Sequence, residues 1–74
     1  MERAESELEM AERHVREGER HVRSQLAIVD FLRRHDHPLE TAEALLTTLQ
    51  EILELHREHL ARLKARAAPG APEG

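Results

Sequence analysis

The chain of 74 residues contains no cysteine, no tryptophan and no tyrosine, and its aromatic content is a single phenylalanine. Without cysteine it has neither a disulfide nor a thiolate nucleophile or metal ligand. Without an aromatic platform it lacks the usual means of stacking nucleic-acid bases. It also has no apolar run near the ~20 residues of a membrane span, and its acidic first residues do not resemble a secretory signal. We therefore expect a cytoplasmic protein with no membrane partner.

Signatures of catalysis and of nucleic-acid binding are also missing. The only serines, Ser6 and Ser24, lie in no nucleophile motif, and no glycine-rich phosphate loop occurs. Fifteen acidic and 11 basic side chains give a net charge of −4, and the two signs alternate along the chain. A basic face could be assembled only from the arginines at positions 13, 16, 20 and 23, which glutamates interrupt. We expect no enzyme, and nucleic-acid association is a third, disfavoured function.

Small and apolar residues recur in alternating steps of three and four on both sides of a His-Asp-His-Pro sequence. The first series is Met1, Ala4, Leu8, Ala11, Val15, Gly18, Val22, Gln25, Val29 and Leu32, and the second is Leu39, Ala42, Leu46, Leu49, Leu53, His56, Leu60, Leu63 and Ala67. Steps that average 3.5 residues keep one stripe of a helix facing a partner helix. The pattern predicts an all-α protein, an antiparallel two-helix hairpin with a heptad seam.

The helix boundaries follow from the residues at the break. We expect helix 1 over about 2–34, a turn at 35–37, helix 2 over about 38–68, and a disordered tail at 69–74. Pro38 suits the first position of helix 2 because its missing N–H would have no intrahelical partner there. Either Asp36 or His37 would be the N-cap.

The apolar stripe is too wide for one neighbouring helix to cover. Two hairpins are therefore expected to pair as a homodimer in a four-helix bundle. The residues predicted to form the core and dimer seam are Leu8, Val15, Gly18, Val22, Leu26, Val29, Leu32, Leu46, Leu49, Leu53, His56 and Leu60. The short turn places Val15 beside His56; a shift by one layer would set Gly18 there instead. We expect Gly18 to make room for the His56 imidazole, and Gln25 to pair across the dimer.

Six histidines are present, and those on the helices have three interpretations. His14, Glu17, His56 and His59 fall at one level and include a helical His-x-x-His pair, which suits zinc or another divalent metal. A metal- or ligand-binding helical bundle is therefore the second candidate function. The simpler interpretation of the seam histidine His56 is a polar layer that fixes register and partner number, and we favour it over the metal site. A third interpretation is a pH response, since charging all six histidines would change the net charge from −4 to +2.

Two short motifs resemble those of a group of small proteins predicted in alphaproteobacterial genomes. The first, His-x-x-Glu-Gly-Glu-Arg, is matched from His14 to Arg20, and the second, Leu-His-Arg-x-His, from Leu55 to His59. The group usually carries Gly-His-Asp-Thr at the turn, where this chain has His-Asp-His-Pro. The resemblance implies a helical hairpin and no particular activity. The function expected from the sequence is thus a structural or regulatory one, exerted through self-association or through contact with an unidentified protein partner.

Overall fold

The computed structural model describes residues 4–68, which form two antiparallel helices and no strand. Helix α1 spans Glu7–Arg34 and helix α2 spans Glu40–Ala67. The two helices pack against each other along their length, so the predicted all-α hairpin is confirmed. The disordered tail predicted at 69–74 and the place of Met1 in the seam lie outside the described residues.

Helix α1 begins at Glu7 rather than near residue 2, because a capping box forms at Ser6. The Ser6 hydroxyl accepts a hydrogen bond from the Glu9 amide at 3.0 Å, and the Glu9 carboxylate accepts one from the Ser6 amide at 2.9 Å. This reciprocal pair satisfies two N–H groups that the first turn leaves without partners. The apolar spacing continues before Ser6 in the sequence and suggested an earlier start. The extended backbone at Ser6 shows that the helix does not continue through this residue.

The connection between the helices closes as a Schellman motif, which corrects the predicted caps. Asp36 has a φ of 56°, its amide donates to the Arg33 carbonyl at 3.3 Å, and the His37 amide donates to the Leu32 carbonyl at 2.9 Å. These two bonds end α1 by occupying its last carbonyls. Neither Asp36 nor His37 caps α2. Its N-cap is Leu39, which makes no side-chain cap, and Pro38 precedes the helix instead of opening it.

The interhelical seam has the register predicted from the short turn. A Cβ built on Gly18 would lie 3.0 Å from Leu53 Cδ1, and this pair is one layer from the predicted pairing of Val15 with His56. The three atoms nearest to this Cβ all belong to Leu53, so the glycine makes room for Leu53 first, and the predicted neighbour His56 lies beside Gly18 in the same groove between the helices. Close packing is the physical reason for the glycine, as expected, but the close neighbour is aliphatic.

The core of a single hairpin is small. The buried residues in the described part of the chain are Ala11, Gln25, Val29, Leu53 and Leu63. The Gln25 side chain is satisfied within the hairpin, because its Nε2 donates to the Ala42 carbonyl of α2 at 2.9 Å. This bond uses one of the two N–H groups of the Gln25 amide, and the pairing of Gln25 across a dimer stays a prediction. This bond ties the turn-proximal halves of the two helices together.

Candidate functional site

One side of the hairpin carries ion pairs that run from one helix to the other. Arg57 of α2 lies 3.4 Å from the Glu19 carboxylate, and Arg33 of α1 lies 3.4 Å from the Glu43 carboxylate. Glu19, Leu26 and Arg33 follow one another at heptad spacing, so Leu26 lies between the two ion pairs along α1. We call this the ion-paired side. It has one large exposed apolar residue, Leu26, with 47% of its surface accessible.

The opposite side carries the other large exposed apolar side chains, at helical spacing on both helices. On α1, Ile28 follows Met10 by 18 residues, which is five full turns, and Phe31 follows Ile28 by three. The three members on α2 are spaced by seven and then three residues, so each set lies on one face of its helix. We call this side the open face, and its apolar members are Met10, Ile28, Phe31, Leu45, Ile52 and Leu55. Their exposed fractions run from 40% to 63%. An apolar stripe of this kind on one side is typical of a surface that meets another protein.

The far half of the open face contains a groove of about 110 Å³ between the helices. Its lining residues are His14, Glu17, Gly18 and His21 from α1, with Leu49, Ile52 and His56 from α2. The imidazole rings of His14 and His56 face each other across the seam, with their centroids 5.0 Å apart and their planes inclined by 43°. Gly18 helps to keep the groove open because it has no side chain. This is the one place among the described residues where imidazoles from both helices meet.

An ion-pair network borders the groove at Glu17. Arg13 donates from Nη1 to Glu17 at 2.7 Å and makes a two-pronged contact with Glu5 at 3.0 Å. The hydrogen bond from Arg13 lowers the pKa of the Glu17 carboxyl, with a smaller contribution from the positive charge itself. The pKa of Glu5 is lowered for the same reason. Glu17 is therefore ionised at neutral pH. The charge of Arg13, one of the four arginines from which a basic face could be assembled, is compensated by these two carboxylates.

The structure brings three of the four predicted metal-site residues to one groove. His14, Glu17 and His56 line it, whereas His59 lies one turn further along α2 and is not among the lining residues. Within residues 4–68, no set of three or more histidine or carboxylate side chains is arranged to hold a metal ion. Among the predicted dimer residues, Leu26 falls on the ion-paired side. The role of His21 in lining the groove was missed, although its spacing of seven residues from His14 was a usable signal.

Comparisons with known proteins add no relative. No protein-family model, no curated protein and no solved structure matches the chain. The resemblance to the alphaproteobacterial group stays a prediction. Neither α1 nor α2 is long and apolar enough to cross a membrane. The geometry of the open face and of its groove therefore carries the functional argument.

Proposed function

We propose that this protein works through self-association, in which two hairpins pair through their open faces as a homodimeric four-helix bundle. The observation that carries the proposal is the unequal distribution of side chains on the hairpin. One side is closed by interhelical ion pairs, and the other presents six large apolar side chains in a stripe. A second copy supplies the same stripe, which is what an isologous twofold interface requires.

The size of the open face suits a second hairpin. A helix of 28 residues is about 42 Å long, and two neighbouring helices are about 20 Å wide. The face thus covers roughly 800 Å², which is the area that each partner contributes to a stable protein interface of standard size. The hairpin also needs such a cover, since only five residues between positions 4 and 68 are buried.

The distribution of residues along the face favours one orientation of the pair. Ile28, Phe31 and Leu45 lie in the half near the turn, whereas in the far half Met10 and Leu55 share the face with His14 and His59. A twofold axis parallel to the helices places apolar half on apolar half, with the two turns side by side. The opposite orientation would bury the apolar half against histidines and the charged residues around them, which costs desolvation energy.

Leu55 is the most informative residue for a test because it is the most exposed apolar side chain of the face, at 63%. Burying a whole leucine contributes about 1.5–3 kcal/mol, so covering its exposed part contributes about 1–2 kcal/mol in each hairpin. The twofold symmetry doubles this contribution. Leu55→Glu should therefore weaken the dimer by about 30- to 1,000-fold in Kd, measured by sedimentation velocity over a concentration series.

Leu26→Glu is the matched control, because it makes the same chemical change at a leucine of comparable exposure on the ion-paired side. Leucine and glutamate have similar helix propensities, so neither variant should lose helicity. The proposal predicts that Leu26→Glu leaves the dimer constant within a few-fold. Equal effects of the two substitutions, or no effect of Leu55→Glu, would contradict the assignment of the open face.

The orientation has its own test through a spin label at His37→Cys, in the turn. With the turns side by side, the two labels of a dimer would lie within about 25 Å of each other, whereas in the opposite orientation they would be separated by roughly the 42 Å helix length. Dipolar electron resonance distinguishes these distances. A long distance would refute the orientation and leave the dimer itself standing.

The role that this assembly supports is structural or regulatory rather than catalytic. Two paired hairpins make a rod whose outer sides carry interleaved charges, a surface on which a further protein could dock. We place the protein in the cytoplasm, in keeping with its lack of cysteine. Arg13 is paired with the carboxylates of Glu5 and Glu17, whereas nucleic acid binds basic surfaces whose charges are not compensated. These ion pairs therefore favour contact with a protein over contact with nucleic acid.

A further inference from the structure

We infer that His14 and His56 form a cross-helix binding site for a divalent transition-metal ion, such as Zn²⁺, within the groove of a single hairpin. Imidazole nitrogen is a preferred ligand of zinc, copper and nickel. The two imidazoles come from different helices, so one ion bound to both would join α1 to α2. The inference goes beyond self-association: both ligands come from one hairpin, and because the groove lies on the open face, the pairing of two hairpins would enclose the site.

The spacing of the two rings allows both to coordinate one ion. With Zn–N distances of 2.0–2.1 Å and tetrahedral angles, two coordinating imidazoles have ring centroids about 5 Å apart. The centroids of His14 and His56 are 5.0 Å apart. Both side chains are half-buried and start from well-packed helices, so the pair is held near this separation before any ion arrives.

The groove supplies the remaining requirements of a cation site. Its volume of about 110 Å³ exceeds the roughly 10–15 Å³ of such space that one water needs, so the groove has room for an ion and its water ligands. Water would complete the coordination, because no three histidine or carboxylate side chains within residues 4–68 are arranged to hold one ion. Glu17 lines the same groove, and the cluster that it forms with Arg13 and Glu5 has two carboxylates for one guanidinium, so its net negative charge favours a cation there.

The expected consequence is stabilisation of the hairpin by metal. An ion that binds the folded state and not the unfolded state stabilises the fold in proportion to the logarithm of its concentration over Kd. For a domain of this size, saturating ZnCl₂ should raise the melting temperature by about 5 °C or more. EDTA should reverse the rise, and titration calorimetry should give one ion for each hairpin.

The test compares His14→Gln and His56→Gln with His37→Gln. Each variant is measured against its own metal-free melting temperature, so that a change in basal stability does not enter. His37 lies in the exposed turn and controls for zinc bound by any surface histidine. We expect the zinc-induced rise to be lost in the two groove variants and retained in His37→Gln. No rise in the unmodified protein, or an equal rise in all variants, would overturn the inference.

Sedimentation in EDTA measures self-association separately, since the proposed dimer forms without metal.

Discussion

Substitution of Gly18 tests the packing of the seam most sharply, because two opposing effects of similar size meet at this residue. Alanine in a helix interior is favoured over glycine by about 1 kcal/mol. Against this, the new Cβ would lie 3.0 Å from Leu53 Cδ1, in a seam where Leu53 is only 5% exposed. Overpacking of a close-packed core costs about 1–3 kcal/mol. Gly18→Ala should therefore leave the free energy of unfolding unchanged or lower it by up to about 2 kcal/mol.

The same substitution should act differently once Leu53 is shortened. Leu53→Ala removes the Cγ, Cδ1 and Cδ2 atoms and costs about 2–5 kcal/mol by itself, the usual loss for truncation of a buried leucine. The next Leu53 atom, Cβ, would lie 3.6 Å from the new methyl group, which is an ordinary contact. In the Leu53→Ala background, Gly18→Ala should then raise the free energy of unfolding by about 1 kcal/mol, from helix propensity alone.

Urea unfolding followed by far-UV circular dichroism, at one fixed protein concentration, gives the four free energies of this double-mutant cycle. The predicted coupling between the two positions is about 1–3 kcal/mol. A gain of about 1 kcal/mol from Gly18→Ala in both backgrounds would show that nothing packs closely on the glycine. An equal loss in both would show that Gly18 is required for a reason other than Leu53. Either result refutes the seam register.

Three further predictions concern single residues. Asp36→Gly should raise the free energy of unfolding by about 0.5–1 kcal/mol in urea titrations, because the φ of 56° suits glycine better than aspartate, whereas Asp36→Ala should give no gain. Glu17→Gln should lower stability at neutral pH and have no effect well below pH 4.5, since a carboxyl whose pKa is lowered by Arg13 stabilises the fold only while it is ionised; a pH-independent difference in thermal melts would contradict this. Gln25→Ala should cost about 1–2 kcal/mol by removing buried atoms and the bond to the Ala42 carbonyl, and an unchanged melting temperature would show that this bond does not hold the helices together.

The sequence predicted the hairpin and its register because both depend on strong, repeated signals. The heptad spacing on either side of Pro38 predicted two long helices, and the short connection allowed only an antiparallel pair. The juxtaposition of His14 and His56 followed from the same register. The ends of the helices were harder to predict because a single local bond decides each of them. Ser6 and Glu9 form a recognisable capping pair, yet the apolar spacing that continues before Ser6 obscured it.

The remaining differences arise where neighbouring residues compete for one position. Leu53 and His56 lie one turn apart on α2, so an axial offset smaller than a turn decides which of them meets Gly18. The left-handed conformation of Asp36 could not be predicted, because the sequence has no glycine at this position, where glycine is the usual signal for the end of a helix. Gln25 sits in the heptad seam, and spacing alone could not show whether its amide would bond to the neighbouring helix or to a second hairpin.

The mass of the unmodified protein in solution tests the central claim, that the open face pairs with a second copy. Sedimentation equilibrium at micromolar concentration should give twice the chain mass of 8.5 kDa, in the presence of EDTA and without added metal. Far-UV circular dichroism of the same sample should give the helix content expected from two helices of 28 residues each. A fully helical and cooperatively folded species with the mass of one chain would contradict the account.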